Sequence, residues 1–213
     1  MLSGQAGFGK TQIIKGLLNE LCSGANSDYI QQIVNFNFYT TANLLQLILQ
    51  QQLEKKAGRL FAPQGSKKLI YFVDDLNMPG PDPYDTQTAI ALLRQHRDYE
   101  HWYDKNKLSL MDIKNTQLIA AMNPTAGTFY INPRLQRHFW LLSVGMPESS
   151  SLTQIYMAYL TKHFHNFKSS VNEQVQSLVK STLQLFTDVS YKFRKTAQNF
   201  HYEFNVRHLT NVF

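Results

Sequence analysis

At 213 residues, with 43% hydrophobic and 17% charged side chains, the chain has the composition of a folded protein able to bury a sizeable core, which excludes intrinsic disorder. The formal net charge of +6 would suit an acidic partner, but its cations are scattered (Lys55-Lys56, Lys67-Lys68, Arg94, Arg97, Lys192, Arg194, Lys195) with no basic run of five. No nucleic-acid role is therefore expected. The single cysteine, Cys22, excludes an internal disulfide and reads as a core thiol in a reducing compartment. No apolar run approaches the roughly 18 residues of a membrane span, and the amino terminus lacks a secretion signal. The expectation is a soluble intracellular protein without membrane contact.

In chain order, Gly4-Gln5-Ala6-Gly7-Phe8-Gly9-Lys10-Thr11 completes a G-x-x-x-x-G-K-[ST] phosphate loop. Such a loop joins a buried strand to a helix N-terminus. Glycines let backbone N–H groups face phosphates, Lys10 adds a point charge, and the Thr11 hydroxyl ligates Mg²⁺. The bland alternative, a glycine-rich turn, is disfavoured by the apolar helix that follows at once: Ile13, Ile14, Leu17, Leu18 and Leu21. Only Met1-Leu2-Ser3 precede the loop, too few for a core strand, so the sequence reads as a piece of something larger.

A polar turn over 23–28 leads to a strand at 33–38. Thr40 or Thr41 caps a helix running to about Lys56, with Leu44, Leu45, Ile48, Leu49 and Leu53 in one stripe. Gly58 to Lys68 reads as a loop or short hairpin, and Leu69-Ile70-Tyr71-Phe72-Val73 as a strand buried on both faces. The proline-rich stretch 77–85 is irregular, 86–99 a helix, 101–113 a possible hairpin, and 117–122 and 138–144 strands. Strands alternating with helices predict a parallel α/β sheet. Past Gly145-Met146-Pro147 the chain becomes strand-poor, with helices over about 151–167 and 171–197. The expected boundary separates an α/β unit, 1–147, from a partial helical unit, 148–213.

Asp74 and Asp75 end the buried strand about sixty residues after the loop, at the sheet edge where doubly wound folds bind ligand. Asp74 would hold Mg²⁺. A second carboxylate there is a candidate general base, provided it reaches the attacking water; otherwise the pair merely starts a solvated loop. Asn123 ends the strand 117–122 and precedes Pro124. It either faces the terminal phosphate and orients water, or serves as plain turn chemistry. Arg134 and Arg137, three apart before the last strand, lie too far along the sheet to serve their own phosphate loop. They either reach a neighbour's nucleotide in trans, with Arg134 favoured, or form surface salt bridges. Arg207 lies in the helical unit; it contacts nucleotide or is one exposed arginine among many. His163 and His165 do not share a helix face, and Trp102 and Tyr103 read as packing residues.

Several longer strings carry a resemblance. They are Asn35 to Thr41, Leu53 to Arg59, Lys67 to Pro79, Arg94 to Tyr99, His101 to Asp104, Met122 to Gly127 and Asn132 to Phe139. The chain resembles an AAA+ module of a dynein heavy chain of axonemal type, most closely the third module of the motor ring, nearly end to end. His201 to Leu209 is similar to the dynein lid segment bearing the sensor 2 arginine, here Arg207. The resemblance implies an AAA+ P-loop NTPase sheet flanked by helices, followed by an all-α lid. ATP or ADP with Mg²⁺ would be the cofactors. Gly4, Gly7, Phe8, Gly9, Lys10, Thr11 and Arg207 would bind nucleotide. Asp74 with Thr11 would hold metal, and Asp75, Asn123, Arg134 and Arg137 would serve catalysis. It further implies a regulatory ATPase site within a six-module ring on one chain. Its partners would be neighbouring AAA+ modules, with intermediate and light chains and microtubules reached through the whole protein, in the ciliary or flagellar axoneme. The rival is a non-hydrolysing module bracing the ring. It draws on Asp75, where AAA+ ATPases usually carry Glu and the shorter side chain disfavours hydrolysis. Phe8 and the stretch Gly80-Pro81-Asp82-Pro83 also depart from the family pattern.

Overall fold

The computed structural model describes residues 1–24, 27–125 and 130–213. Its chain divides into two compact units, Met1–Gln5 with Gly9–Val144, and Ala6–Phe8 with Gly145–Phe213.

In the first unit the strands β1 (Leu2–Ser3), β2 (Tyr29–Asn35), β5 (Lys68–Asp74), β8 (Thr116–Met122) and β9 (Leu142–Ser143) form one sheet in the order β2-β5-β8-β1-β9. Every pairing is parallel. The alternation of β5 explains its interior place, between β2 and β8. Ile70 and Phe72 pack with Ile14 and Leu18 of α1 (Lys10–Cys22). Leu69, Tyr71 and Val73 point the other way, into the cluster holding Leu45 and Leu49 of α2 (Ala42–Gln50) and Ala89 and Leu93 of α3 (Thr88–Tyr99). A strand covered on both faces needs apolar residues at every position, which accounts for the unbroken run. Each fully buried side chain of this size contributes about 2 kcal/mol relative to exposure.

Two hairpins build a second sheet. β3 (Leu53–Ala57) and β4 (Leu60–Pro63) pair antiparallel, as do β6 (His101–Tyr103) and β7 (Leu110–Ile113), and β4 joins β7 in parallel. Trp102 is fully buried within the core cluster, whereas Tyr103 is half exposed.

The second unit is helical. α5 (Ser149–His163) is followed by a 3-10 turn (Phe164–Asn166), α6 (Ser169–Lys192) and α7 (Val206–Val212). Leu152, Tyr156 and Leu160 recur every fourth residue on α5, as do Val175, Val179 and Leu183 on α6. With Leu209 they form the unit's core. The parallel sheet flanked by helices, with a helical unit after it, is the fold class that the motif order predicted.

Several local expectations are corrected. The second helix stops at Gln50 rather than near Lys56. Leu53 fits both periods, four residues after Leu49 and opposite Pro63, and the hairpin turn at Gly58, with φ +56°, decides for the strand. The preceding strand starts four residues earlier than expected and ends at Asn35. Its polar Gln32 hid it, although that side chain is buried and donates through Nε2 to Ile48 O at 2.6 Å. The final strand shrinks to Leu142–Ser143, because His138 N and Phe139 N bond back to Leu135 O and Gln136 O. Leu2 and Ser3, expected to be too few for a core strand, form a two-residue, partly buried strand paired on both sides. Cys22 is only partly buried rather than a core thiol, and Ile13, Leu17 and Leu21 lie exposed. The helices of the second unit begin two residues earlier than expected and end by 163 and 192.

Candidate functional site: the phosphate loop and the strand ends

The site is built on the C-terminal ends of β1, β5 and β8. Gly4 leaves β1 with its amide donating to Met122 O at 3.3 Å. A Cβ there would lie 2.4 Å from the Val144 carbonyl oxygen, so no other residue fits. Gly7 and Gly9 both adopt φ +82°, in the left-handed region. Gly9 is also the N-cap of α1, where no side chain satisfies the first helical amides and no acidic residue occupies the first turn. A helix start left this way favours an anion. Phe8 is partly buried.

Lys10 is 9% exposed, and its Nζ donates to the carbonyls of Gly4 and Gln5, both at 2.8 Å. The loop thus wraps around its own ammonium group. Thr11 Oγ1 donates to Asp74 Oδ2 at 2.8 Å, joining two residues 63 apart in sequence. A hydroxyl beside a carboxylate is the hard-oxygen donor pair that suits Mg²⁺. The uncapped helix start, the lysine and this oxygen pair fit a magnesium nucleotide. Among the described residues no group of three or more His, Cys, Asp or Glu side chains is arranged to hold a metal by itself.

Asp75 is exposed and adopts φ +55°, a conformation aspartate tolerates better than most residues. Its amide donates to Asp74 Oδ1 at 3.1 Å, and its carbonyl accepts from Met78 N at 2.9 Å. Because β8 lies between β1 and β5, Asn123 emerges between the phosphate loop and Asp74. Asn123 Oδ1 accepts from Thr125 N at 3.2 Å and from Thr125 Oγ1 at 3.0 Å. The side chain therefore does perform turn chemistry, and it does so at the phosphate edge. The string that follows it, Ala126-Gly127, lies outside the described residues.

The two arginines sit around α4 (Pro133–Gln136), which Asn132 caps by accepting from Arg134 N at 2.9 Å. Leu135 is fully buried and pins the segment, so its neighbours turn outward. Arg137 Nη2 and His138 Nε2 both meet Asp98 Oδ1 at 2.8 Å, and Arg94 lies 3.9 Å from the same carboxylate. Hydrogen bonds from Arg137 hold the Asp98 carboxyl below its usual range, against a desolvation effect that raises it. Arg137 is thus committed to its own unit. Arg134 is exposed and pairs with no carboxylate among the described residues. A cleft of about 390 Å³, lined in part by Thr86, Ile90, Arg94, Asn132 and Pro133, flanks this segment rather than the phosphate loop.

Arg207 stands in the second unit on the first turn of α7, where Asn205 Oδ1 accepts from its amide at 3.0 Å; its side chain is exposed. His163 ends α5 and His165 lies in the 3-10 turn.

Sequence reasoning passed over Asp98 and Asn77. Asp98 was visible only as an acid within the resemblance string Arg94 to Tyr99, since its partners lie 39 and 40 residues away. Asn77 was visible only as part of a resemblance string. It is 3% exposed and donates to Asn123 O at 2.8 Å.

Comparison with known proteins agrees with this geometry. The chain is 49% identical to the dynein alpha chain of the flagellar outer arm of Chlamydomonas reinhardtii. It is 48% identical to dynein axonemal heavy chain 17 of Mus musculus and 46% identical to the ciliary dynein beta chain of Tripneustes gratilla. Each alignment covers 100% of this chain and 5% of the relative, so the sequence spans about a twentieth of their length. Residues 1–147 match the family described as the P-loop containing dynein motor region, and the chain belongs to that family.

Proposed function

We propose that this chain binds ATP with Mg²⁺ and hydrolyses it slowly, in a regulatory role, as one AAA+ module of a dynein microtubule motor of cilia or flagella. The observation that carries the reading is the 2.8 Å bond from Thr11 to Asp74. It brings the phosphate loop and the acidic strand end to one point beside Lys10. Magnesium, when bound, supplies positive charge to the phosphate oxygens. Thr11 and Asp74 would hold it, while Lys10 would turn from its loop carbonyls to a phosphate. Asp75 would accept the proton of the attacking water, and Asn123 would orient that water. Arg134 would act in trans on the nucleotide of the preceding module, and Arg207 would report nucleotide state from the helical unit, here read as a lid.

In this reading the chain would be the third module of the ring, as the resemblance strings suggest, and would sit beside further AAA+ modules of the same heavy chain. Intermediate and light chains and microtubules would be reached through the whole protein, in the axoneme. The flagellar, axonemal and ciliary names of the relatives support that location.

A second reading, a nucleotide-holding module that braces the ring without hydrolysis, is favoured by one observation. Asp75 has a side chain one methylene shorter than the glutamate usual there, which limits how far its carboxylate extends. Both readings require nucleotide binding. In the complete heavy chain with its other nucleotide sites disabled, Lys10→Ala should weaken fluorescent ATP binding by about a hundredfold. Unchanged affinity would remove the phosphate-loop assignment.

A further inference from the structure

No part of the phosphate-site chemistry above uses Asn77, yet this amide is almost completely enclosed, with 3% of its surface exposed. Its Nδ2 donates to the backbone carbonyl of Asn123 at 2.8 Å. Because that partner only accepts, the orientation of the amide is fixed: nitrogen faces Asn123 and oxygen faces away. The oxygen, Oδ1, is buried without a hydrogen-bond partner among the described residues. A position serving packing alone would be better filled by an apolar side chain, since a buried acceptor without a donor is costly. The nitrogen end is what justifies an asparagine here.

A backbone bond runs in parallel with it. Leu76 N donates to Ala121 O at 3.0 Å. Asp75, one residue earlier, is bracketed by its bonds to Asp74 Oδ1 and Met78 N. The turn after β5 and the end of β8 are therefore laced together, and Asn77 supplies the side-chain stitch. On the other side of Asn123, Thr125 holds the side-chain oxygen.

We infer that Asn77 is a positioning residue that fixes the Asn123 backbone and so sets how the Asn123 side chain meets the terminal phosphate. The inference rests on the reading of Asn123 as the group facing that phosphate. Asn77 itself touches no nucleotide. Its loss should therefore lower discrimination between ATP and ADP, which differ only in that phosphate, without lowering affinity for nucleotide in general.

The test uses the full-length heavy chain with its other nucleotide sites disabled, titrated with ADP and with slowly hydrolysed ATPγS. Asn77→Ala should reduce the ATPγS-to-ADP affinity ratio about tenfold and leave ADP affinity within about twofold. Asn77→Leu keeps nearly the same volume, removes the donor without placing a charge in the enclosed position and should act alike, which guards against a cavity defect in the alanine variant. Asn123→Ala should match both, and the Asn77→Ala, Asn123→Ala double variant should lose no more than Asn123→Ala alone. An unchanged ratio, an equal loss of both nucleotides, or additive losses would overturn the role of Asn77 while leaving the site reading intact. Wild-type binding without preference for ATPγS would remove the Asn123 role and this inference with it. Wild-type protein that binds neither nucleotide would overturn the site reading itself.

Discussion

At the phosphate edge each functional group already has a protein partner. Lys10 is held by the Gly4 and Gln5 carbonyls, and Thr11 bonds Asp74. At the arginine segment the arrangement is lopsided: Asp98 takes both Arg137 and His138, while Arg134 points to solvent with no carboxylate partner among the described residues. On the proposed reading, the first region would exchange its internal partners for a ligand at the same place, and the second would keep one cation, Arg137, and offer another, Arg134, to a neighbouring module's nucleotide.

The largest effect that would break this contrast comes from Arg134→Lys. Lysine keeps the charge but loses the planar fork that spans two oxygens. We expect turnover at the preceding module's site to fall by roughly a thousandfold, with nucleotide affinity at Lys10 unchanged. Single-turnover assays with one active site at a time would show it. Equal rates would return Arg134 to the status of a surface cation.

Acid should separate the two regions next. α3 carries Asp98 on its surface and His96 inside, where His96 is 2% exposed, with Nε2 3.0 Å from Thr116 Oγ1. Burial first, then Arg97, lower its pKa from 6.5 to about 4, against a small opposing effect of Glu100. Between those values the unfolded chain binds the extra proton and the folded chain does not. Stability is therefore complete above pH 6.5 and lost as pH falls toward 4, by about 2 kcal/mol at pH 5. Urea denaturation at pH 7 and pH 5 measures this, and His96→Gln should flatten the difference. A wild-type protein equally stable at both pH values would show that His96 is not held neutral.

The smallest expected change is Asp75→Glu, which lengthens the candidate base. If reach limits the reaction, single-turnover hydrolysis at this site should rise about fivefold. The gain is modest because the left-handed φ of Asp75 suits glutamate less well. No rise at all would favour the bracing role over hydrolysis.

Much of the phosphate edge was legible in sequence because its signals are local. The loop is contiguous, and the run from Leu69 to Val73 announces a doubly covered strand ending at Asp74. What escaped depended on distance or ambiguity. Leu53 satisfies helix and strand periods alike, and the hairpin turn at Gly58 that pairs it with Pro63 decides. Gln32 looks like a surface residue until Ile48 O is found within 2.6 Å. Arg134 was already favoured over Arg137, but the ion pair that holds Arg137 needed Asp98, 39 residues before it, and no spacing rule connects them. The same holds for Asn77 and Asn123, 46 apart.

The central claim, that Thr11 and Asp74 form a magnesium-nucleotide site, is tested most directly by the magnesium dependence of ATP affinity. In the complete heavy chain with its other nucleotide sites disabled, chelating Mg²⁺ should weaken wild-type ATP binding by about tenfold or more. Asp74→Asn should bind ATP with nearly the same affinity whether or not the metal is present. A variant that keeps the full wild-type magnesium dependence, or a wild-type site indifferent to the metal, would contradict the account.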